Sequence, residues 1–259
     1  MKLKTHTPTS SGVRHQIKIQ KNLLAKKNQV VKNSILHIKK NSGRSSKTGN
    51  ITVNHIGGGN KKNYKKKLTE YQNSVYLILS INYDQNKNCF FSLIFNPFLK
   101  HFSFISTGEN HCVGTLIESG FDSISNKTGN FLQLQQISAG TLINNISLKN
   151  KLSVFACSAG TFAQIIQKSF IEIKLRLPSG HIISVSPQKS FGFLGVVSNK
   201  KQNLTFLGKA GKNRLLHKRP SVRGCAMNPV DHPHGGRTNK GGYPVSPWGK
   251  LTKGVPTKK

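Results

Sequence analysis

The sequence predicts an all-β fold, with two small barrels held between two basic tails. Three observations lead to this expectation: strict alternation of apolar and polar residues, short apolar runs separated by glycine-rich turns, and charge confined to the chain ends. Forty Lys and Arg against seven Asp and Glu give a formal charge of +33 over 259 residues. Only 35% of the residues are hydrophobic, so part of the chain is not expected to enter a core.

The charge divides the chain into three parts. Residues 1–67 hold seventeen basic and no acidic residues, and residues 173–259 hold seventeen basic residues and one acid, Asp231. Residues 68–172 hold six of each sign and are formally neutral. Basic tails of this kind bury little apolar surface, so we expect them to order only on a polyanion. A nucleic acid or an anionic membrane is the expected partner, and an enzyme for neutral metabolites is excluded.

The first half of the chain predicts a tail followed by a barrel. Residues 1–50 show no sustained apolar period and are assigned to a basic N-terminal extension, whereas 51–125 are assigned to the first barrel. The turn-like segment Asp84–Asn88 between two apolar runs is typical of a hairpin. The strands expected here are Ile51–Val53, Val75–Tyr83, Cys89–Phe95 and Val113–Ile117.

The second half predicts another barrel over 126–200 and a basic C-terminal extension over 201–259. In Ile171–Leu177, apolar residues alternate strictly with charged ones, which indicates a half-buried strand. A Pro-Ser-Gly turn then leads into a returning strand, Ile182–Val185. Without a long amphipathic helix, two five-stranded barrels are favoured, and a single β-sandwich is the alternative.

The cysteines and the apolar stretches limit the compartment. The four cysteines contain no C-x-x-C pair, which argues against a zinc ribbon and favours free thiols in a reducing environment. No apolar stretch approaches the ~18 residues of a membrane-spanning helix, so no segment is expected to cross a membrane, and these stretches indicate no membrane partner.

A glycine run stands where the first tail meets the first barrel. Gly57, Gly58 and Gly59 would let the backbone approach a phosphate closely, and His55, Lys61 and Lys62 flank them. The spacing does not fit a Walker A loop or a dinucleotide-binding fingerprint. A flexible linker is the alternative, and the flanking charge favours contact with a nucleic-acid backbone.

Arginine, otherwise rare in this chain, clusters in the second tail. Four of the seven arginines lie between 214 and 237, and their planar forks suit bidentate phosphate contacts and stacking on bases. A solvated basic loop is the alternative interpretation. The predicted nucleic-acid contacts of this region are Lys209, Lys212, Arg214, Lys218, Arg219 and Arg223.

The segment Met227–Gly236, with the sequence MNPVDHPHGG, allows three interpretations. Asp231 beside His232 could form a catalytic pair, and His232 with His234 and Asp231 could bind a metal. A proline-stiffened loop that threads through nucleic acid, with imidazoles contacting bases or phosphates, is ranked first. The solitary Trp248 lies in a basic tail and is expected to stack on a base or to anchor the tail.

These residues carry a resemblance to a known family. The runs VRGCAMNPVDHPHGG (Val222–Gly236) and PVSPWGKLTKG (Pro244–Gly254) resemble the C-terminal signature of the ribosomal large-subunit protein two family. ITVNHIGGGNKK, SAGT, LRLPSG and LGKAG resemble further landmarks in the family's order. After Gly236 the family's Gly-Glu-Gly is replaced by the more basic Arg237-Thr238-Asn239-Lys240.

The resemblance implies an OB-type barrel followed by an SH3-like barrel, with both tails buried in large-subunit rRNA near the peptidyl-transferase centre. It implies a structural role in rRNA folding, subunit association and translation, and no enzymatic activity. His232 matches a family histidine discussed in connection with peptidyl transfer, and we expect it to contact rRNA. The further rRNA contacts expected in this region are Asn228, Asp231, His234, Arg237, Trp248 and Lys250.

Partners and location follow from the same resemblance. The expected partners are large-subunit rRNA, neighbouring ribosomal proteins and the small subunit through an intersubunit bridge. No cofactor or protein-bound metal is expected, and any ion would be Mg²⁺ at the rRNA interface. Thirty-three Lys against seven Arg, together with twenty-four Asn, favour a mitochondrial ribosome in the matrix. A plastid or the bacterial cytoplasm is the alternative.

Overall fold

The computed structural model describes residues 2–22, 24–25, 31, 35–37, 42–65, 74–120, 127–148, 151–236 and 242–254. Its contacts divide the chain into two units. We name Met1–Lys39 with Lys61–Lys212 the sheet unit, and Lys40–Asn60 with Asn213–Lys259 the loop unit. The end of the predicted N-terminal extension thus belongs with the C-terminal extension. The barrel bounds at 51, 125 and 200 stay predictions.

The regular secondary structure of the described residues is almost entirely β. The strands are β1 (Leu3–Thr5), β2 (Ile17–Ile19), β3 (Ile35–His37), β4 (Asn63–Lys65), β5 (Ser74–Tyr83), β6 (Phe90–Asn96), β7 (His101–Ser106), β8 (Leu116–Gly120), β9 (Phe131–Gln133), β10 (Leu142–Leu148), β11 (Lys151–Phe155), β12 (Ala163–Lys168), β13 (Ile173–Arg176), β14 (Ile182–Val185) and β15 (Ser190–Leu194). The helices are α1 (Ala210–Leu215) and two 3-10 helices, Lys200–Leu204 and Gly224–Ala226. No helix of these described segments is long and apolar enough to cross a membrane.

One eleven-stranded sheet organises the sheet unit. Its order is β14-β13-β12-β10-β15-β9-β8-β5-β6-β7, with β11 paired to β10. Neighbours are antiparallel except β8 and β9, which run parallel. The predicted hairpin is confirmed, since Tyr83 pairs with Phe90 and the N–H of Asp84 donates to the carbonyl of Cys89 at 2.9 Å. Of the alternating segment Ile171–Leu177, only Ile173–Arg176 forms a strand, β13, which pairs with β14 as expected; Ile171 lies before it and is 88% exposed.

Two main apolar cores lie against this sheet, beside a smaller cluster on β6 and β7. One contains side chains of β5 to β8, and the other is built mainly from β10 to β14. Strands β9 and β15 contribute side chains to both cores. Phe131 and Phe193 pack in the first core, and their neighbours Leu132 and Leu194 pack in the second. Successive residues of a strand point to opposite faces, which explains the division. The all-β architecture agrees with an OB-type barrel followed by an SH3-like barrel.

Three local expectations were wrong. Ile51–Val53 is not a strand, because Ile51 forms only an isolated bridge with Arg44. The strand expected from Val113 begins at Leu116, after a turn in which the N–H of Thr115 donates to the carbonyl of Cys112. The N-terminal tail contains a two-stranded ribbon, β1 with β2. The ribbon is attached to the sheet unit where Ile17 and Phe206 exchange two backbone hydrogen bonds at 3.0 and 3.1 Å.

Candidate nucleic-acid interface

The loop unit joins two basic motifs that are far apart in the sequence. The N–H of Gly57 donates to the carbonyl of His217 at 2.9 Å, and the N–H of Asn60 donates to the carbonyl of Leu215 at 3.2 Å. In the opposite direction, the N–H of Arg219 donates to the carbonyl of His55 at 2.9 Å. The glycine run and the arginine cluster therefore form one short backbone ladder.

The glycines of the run also join two protein segments. Gly59 has φ +78°, and a Cβ there would lie 2.8 Å from the carbonyl oxygen of Leu215 and 2.9 Å from the nitrogen of His217. Only glycine permits this close approach between two backbones. The N–H of Gly57 donates to the second segment as well. Nucleic-acid contacts of Gly57, Gly58 and Gly59 stay predictions.

The ladder presents an exposed basic surface. Lys40–Asn60 holds three Lys and Arg, and Asn213–Lys259 holds ten, against a single acid, Asp231. Four basic residues at and beyond the ladder, together with His55, are exposed. They are Arg214, Lys218, Arg219 and Arg223. His217 is buried beneath them, and its Nδ1 has no hydrogen-bond partner among the described residues.

Backbone hydrogen bonds close the segment Met227–Gly236 on itself. The backbone carbonyl of Asn228 accepts hydrogen bonds from the N–H groups of Asp231 and His232 at 3.0 and 3.3 Å. The N–H of Gly235 donates to the carbonyl of His232 at 2.8 Å. A Cβ at Gly235 would collide with the backbone of Asn228. Glycine at this position therefore allows the loop to fold back tightly.

His232 is the buried centre of this loop. Its side chain is 8% exposed, and a Cβ at Gly224 would lie 2.6 Å from its Cε1 and Nδ1 atoms. Its Nδ1 accepts the N–H of His234 at 3.0 Å, so the neutral ring carries its proton on Nε2. The ring of His234 lies 4.9 Å from it, and His234 Nε2 bonds the carbonyl of Tyr243 at 3.0 Å.

This geometry weighs against the catalytic pair and against the metal site. Asp231 is exposed and forms no ion pair with His232 in the described part of the chain, and the nitrogen that a carboxylate would orient is held by a backbone N–H. Across the described residues, no three His, Cys, Asp or Glu side chains come together as a metal-binding group. The burial of His232 leaves Asn228 and Asp231 as the loop's exposed polar groups.

Trp248 lies at the tip of a tight turn. The N–H of Ser246 donates to the carbonyl of Lys250 at 2.7 Å, the Ser246 hydroxyl accepts the N–H of Lys250 at 3.1 Å, and Val245 bridges Leu251. The indole is 76% exposed, as expected for a side chain that stacks on a partner.

The remaining predicted contacts belong to the sheet unit, except Arg237, which lies outside the described residues. Lys61 and Lys209 are exposed, and Lys62 and Lys212 are half-buried. Burial, followed by the charges of Lys18 and Lys209, lowers the pKa of Lys212. Lys18 was not predicted as a contact, because its proximity to Lys212 depends on how the N-terminal ribbon docks.

A cleft in the sheet unit contains His111, which was also not predicted. Its cavity is about 320 Å³ and is lined by Gly108, Gly129 and strand residues of the second core. The N–H of Gly108 donates to His111 Nδ1 at 3.2 Å, and burial lowers the pKa of His111 to about 4. A Cβ at Gly129 would collide with the imidazole.

Comparison with known proteins bears on the whole chain. Residues 127–249 match the model of the family described as Ribosomal Proteins L2, C-terminal domain. Large ribosomal subunit protein uL2 of Buchnera aphidicola subsp. Cinara cedri (strain Cc) is 40% identical over 257 residues, covering 97% of this chain and 92% of its own length. Large ribosomal subunit protein uL2m of Reclinomonas americana is 39% identical over 267 residues, covering 100% and 94%. The uL2 of Rhodospirillum centenum (strain ATCC 51521 / SW) is 35% identical over the same length, with the same coverage.

The two basic motifs, the glycine-dependent ladder and the closed Met227–Gly236 loop thus occur in a chain whose similarity to these relatives extends over nearly its full length. This protein belongs to the large ribosomal subunit protein uL2 family.

Proposed function

We propose that this protein is a structural, non-catalytic constituent of the large ribosomal subunit that binds large-subunit rRNA. The observation that carries the proposal is the ladder between His55–Asn60 and Leu215–Arg219, which gathers exposed Arg and Lys on a unit with a single acidic residue. Charge of one sign on this scale requires a polyanion for its neutralisation. Family membership identifies that polyanion as rRNA.

The proposed rRNA contacts fall into three groups. Arg214, Lys218, Arg219 and Arg223 contact phosphates, with the arginines offering planar forks. Trp248 stacks on an unpaired base at the tip of its turn, and Lys250 contacts the adjoining backbone. Asn228 and Asp231 read base edges or 2′-hydroxyls, and His232 supports them from inside the loop.

Several finer features of the function rest on the family resemblance alone. We place the Met227–Gly236 loop near the peptidyl-transferase centre, where RNA performs the chemistry and the loop supports RNA structure. Neighbouring ribosomal proteins and the small subunit, through an intersubunit bridge, are further proposed partners. Mg²⁺ at the rRNA interface is the ion that such a contact would use, because it bridges phosphate oxygens.

A binding experiment with the full-length protein tests the core of the proposal. RNA that copurifies with the protein is sequenced, and its affinity is compared with that of an unrelated folded RNA of equal length across 50–300 mM salt. We expect large-subunit rRNA to copurify and to bind in preference. We also expect log K to fall with log[salt] at a slope of about −4, the value for five neutralised phosphates.

Binding to unrelated oligonucleotides, turnover and metal content, measured on the same protein, distinguish two other functions. Equal affinity for unrelated single-stranded oligonucleotides would indicate a generic single-strand binder on the OB-type barrel. Turnover or stoichiometric metal in RNA-free protein, lost in His232→Ala, would indicate an enzyme. Either result would contradict the structural role.

We propose the mitochondrial ribosome as the location, on the Lys and Asn bias and the similarity to the mitochondrial relative. The bacterial relatives are equally similar, so the alternative compartments are a plastid and the bacterial cytoplasm. Fractionation followed by sequencing of the copurified rRNA decides among them, because the three ribosomes carry different rRNA genes.

A further inference from the structure

The N-terminal ribbon places two like charges opposite each other. In the register of β1 with β2, Lys4 pairs directly with Lys18, and both side chains are exposed. Directly opposed like charges destabilise an antiparallel pair. The ribbon is also short, with three residue pairs, so an external anion that neutralises the two lysines would stabilise it.

Further basic groups of the sheet unit surround this pair. Burial and then the charges of Lys18, Lys4 and Lys212 lower the pKa of His6. Burial and then the charges of Lys18 and Lys209 likewise lower the pKa of Lys212. The charges that lower both pKa values are those of lysines. A concentrated positive cluster beside an imidazole is suited to a phosphate next to a hydrogen-bonding group.

A cleft opens beside the cluster in the same unit. Its volume is about 510 Å³, within the range of small-molecule sites, and its lining includes His6, Arg14, His15, Gln16 and Phe206. Phe206 is 55% exposed, and the ring of His15 stands edge-on to it at 6.4 Å. An exposed aromatic face beside cationic side chains is the arrangement on which unpaired bases stack.

The cleft is built into the fold. The backbones of Ile17 and Phe206 are joined by two hydrogen bonds, and the amide of Gln16 donates to the carbonyl of Leu207 at 3.2 Å. A Cβ at Gly208 would lie 2.8 Å from the carbonyl oxygen of Gly12, so the two segments pack backbone to backbone. The Nε2 atom of His6 is buried and has no hydrogen-bond partner among the described residues.

We propose that this cleft binds one unpaired nucleotide extruded from the rRNA. The base stacks on Phe206, with His6 and Gln16 hydrogen-bonding its edge, and the adjoining phosphate lies on Lys4, Lys18 and Lys212. This site rests on the proposed rRNA-binding function and adds a sequence-reading position to it. A ligand of this class explains together the aromatic face, the polar lining and the lysine cluster.

Site-directed photocrosslinking in the full-length protein tests the site. Phe206 is replaced by benzoylphenylalanine, the protein is bound to the copurifying large-subunit rRNA and irradiated, and the crosslinked nucleotide is mapped. Phe170, which is 94% exposed in the same unit, is the matched control. We expect position 206 to crosslink to one unpaired nucleotide and position 170 to give no such product. Bound protein without a defined crosslink at 206 overturns the nucleotide site, whereas failure of the unmodified protein to bind overturns the rRNA function itself.

A salt titration tests the phosphate half of the site. Lys4→Gln combined with Lys18→Gln should make the slope of log K against log[salt] shallower by about 1, the value for one neutralised phosphate, and Phe206→Ala should weaken binding about tenfold. The matched pair is Lys100→Gln with Lys189→Gln, two exposed lysines of the same unit outside the cluster. An equal change in both double variants, or none in the first, overturns the assignment of the phosphate to the Lys4–Lys18 pair.

Discussion

The contact between Gly224 and His232 offers a sharp test of how the Met227–Gly236 loop works. Gly224 is replaced by Ala, which adds one methyl group and no charge. Gly224 has no positive φ, so backbone strain does not add to the effect. The new Cβ would lie 2.6 Å from Cε1 and Nδ1 of His232, whose side chain is 8% exposed and has little room to move.

The size of the effect follows from these distances. Ordinary carbon contacts are about 3.5–4.0 Å, so the ring must shift by about 1 Å. That shift stretches the 3.0 Å hydrogen bond from the N–H of His234 to His232 Nδ1 beyond a useful length. Overpacking of this kind costs about 1–3 kcal/mol. If the bound loop must keep its shape, affinity for rRNA falls about fivefold to 150-fold.

The assay measures rRNA affinity and the histidine ring resonances of the free protein by NMR. Gly242→Ala is the matched control in the same unit, because Gly242 has no positive φ and a Cβ there meets nothing within 4 Å. We expect Gly224→Ala alone to shift the His232 resonances and to weaken binding. Shifted resonances with unchanged affinity would refute the role of the loop's shape in binding. Unchanged resonances would refute the packing itself.

Three further predictions concern other parts of the chain. His111 should titrate near pH 4 by NMR. This folded pKa lies below the value of about 6.5 in the unfolded chain, so the unfolded state binds the proton more readily. The free energy of unfolding, measured by urea denaturation, should therefore fall by about 3 kcal/mol between pH 6.5 and 4. His111→Gln should remove most of that slope, and a slope that persists would assign it to other groups. Gly129→Ala should destabilise more than Gly114→Ala in thermal melts, because both have positive φ but only the first collides with the imidazole. Trp248→Ala should weaken rRNA binding by about 1–3 kcal/mol and Trp248→Phe by less; equal losses would argue against stacking.

The strands that the sequence predicted either alternate between water and a core or, like β6, are short apolar runs bounded by turn residues. Strand β13 alternates, and so its existence and its pairing with β14 could be predicted from neighbouring residues. Strand β10 could not, because Asn144 and Asn145 are buried in it. The amide of Asn144 donates to the carbonyl of Gly195 at 2.8 Å, a partner that only the folded sheet supplies. A buried polar residue with a distant partner leaves no periodic signal in the sequence.

The candidate interface divides in the same way. Composition alone determined that the two ends of this chain need a polyanion, since charge adds up regardless of conformation, and the motif residues identified the family. Only the tertiary structure decided that Gly57 and Gly59 join protein segments, that His232 lies inside its loop, and that Lys4 faces Lys18. Those facts depend on register and on close approach between residues far apart in the chain. Both are set by packing and backbone hydrogen bonding over the whole unit, and no local pattern of residues encodes them.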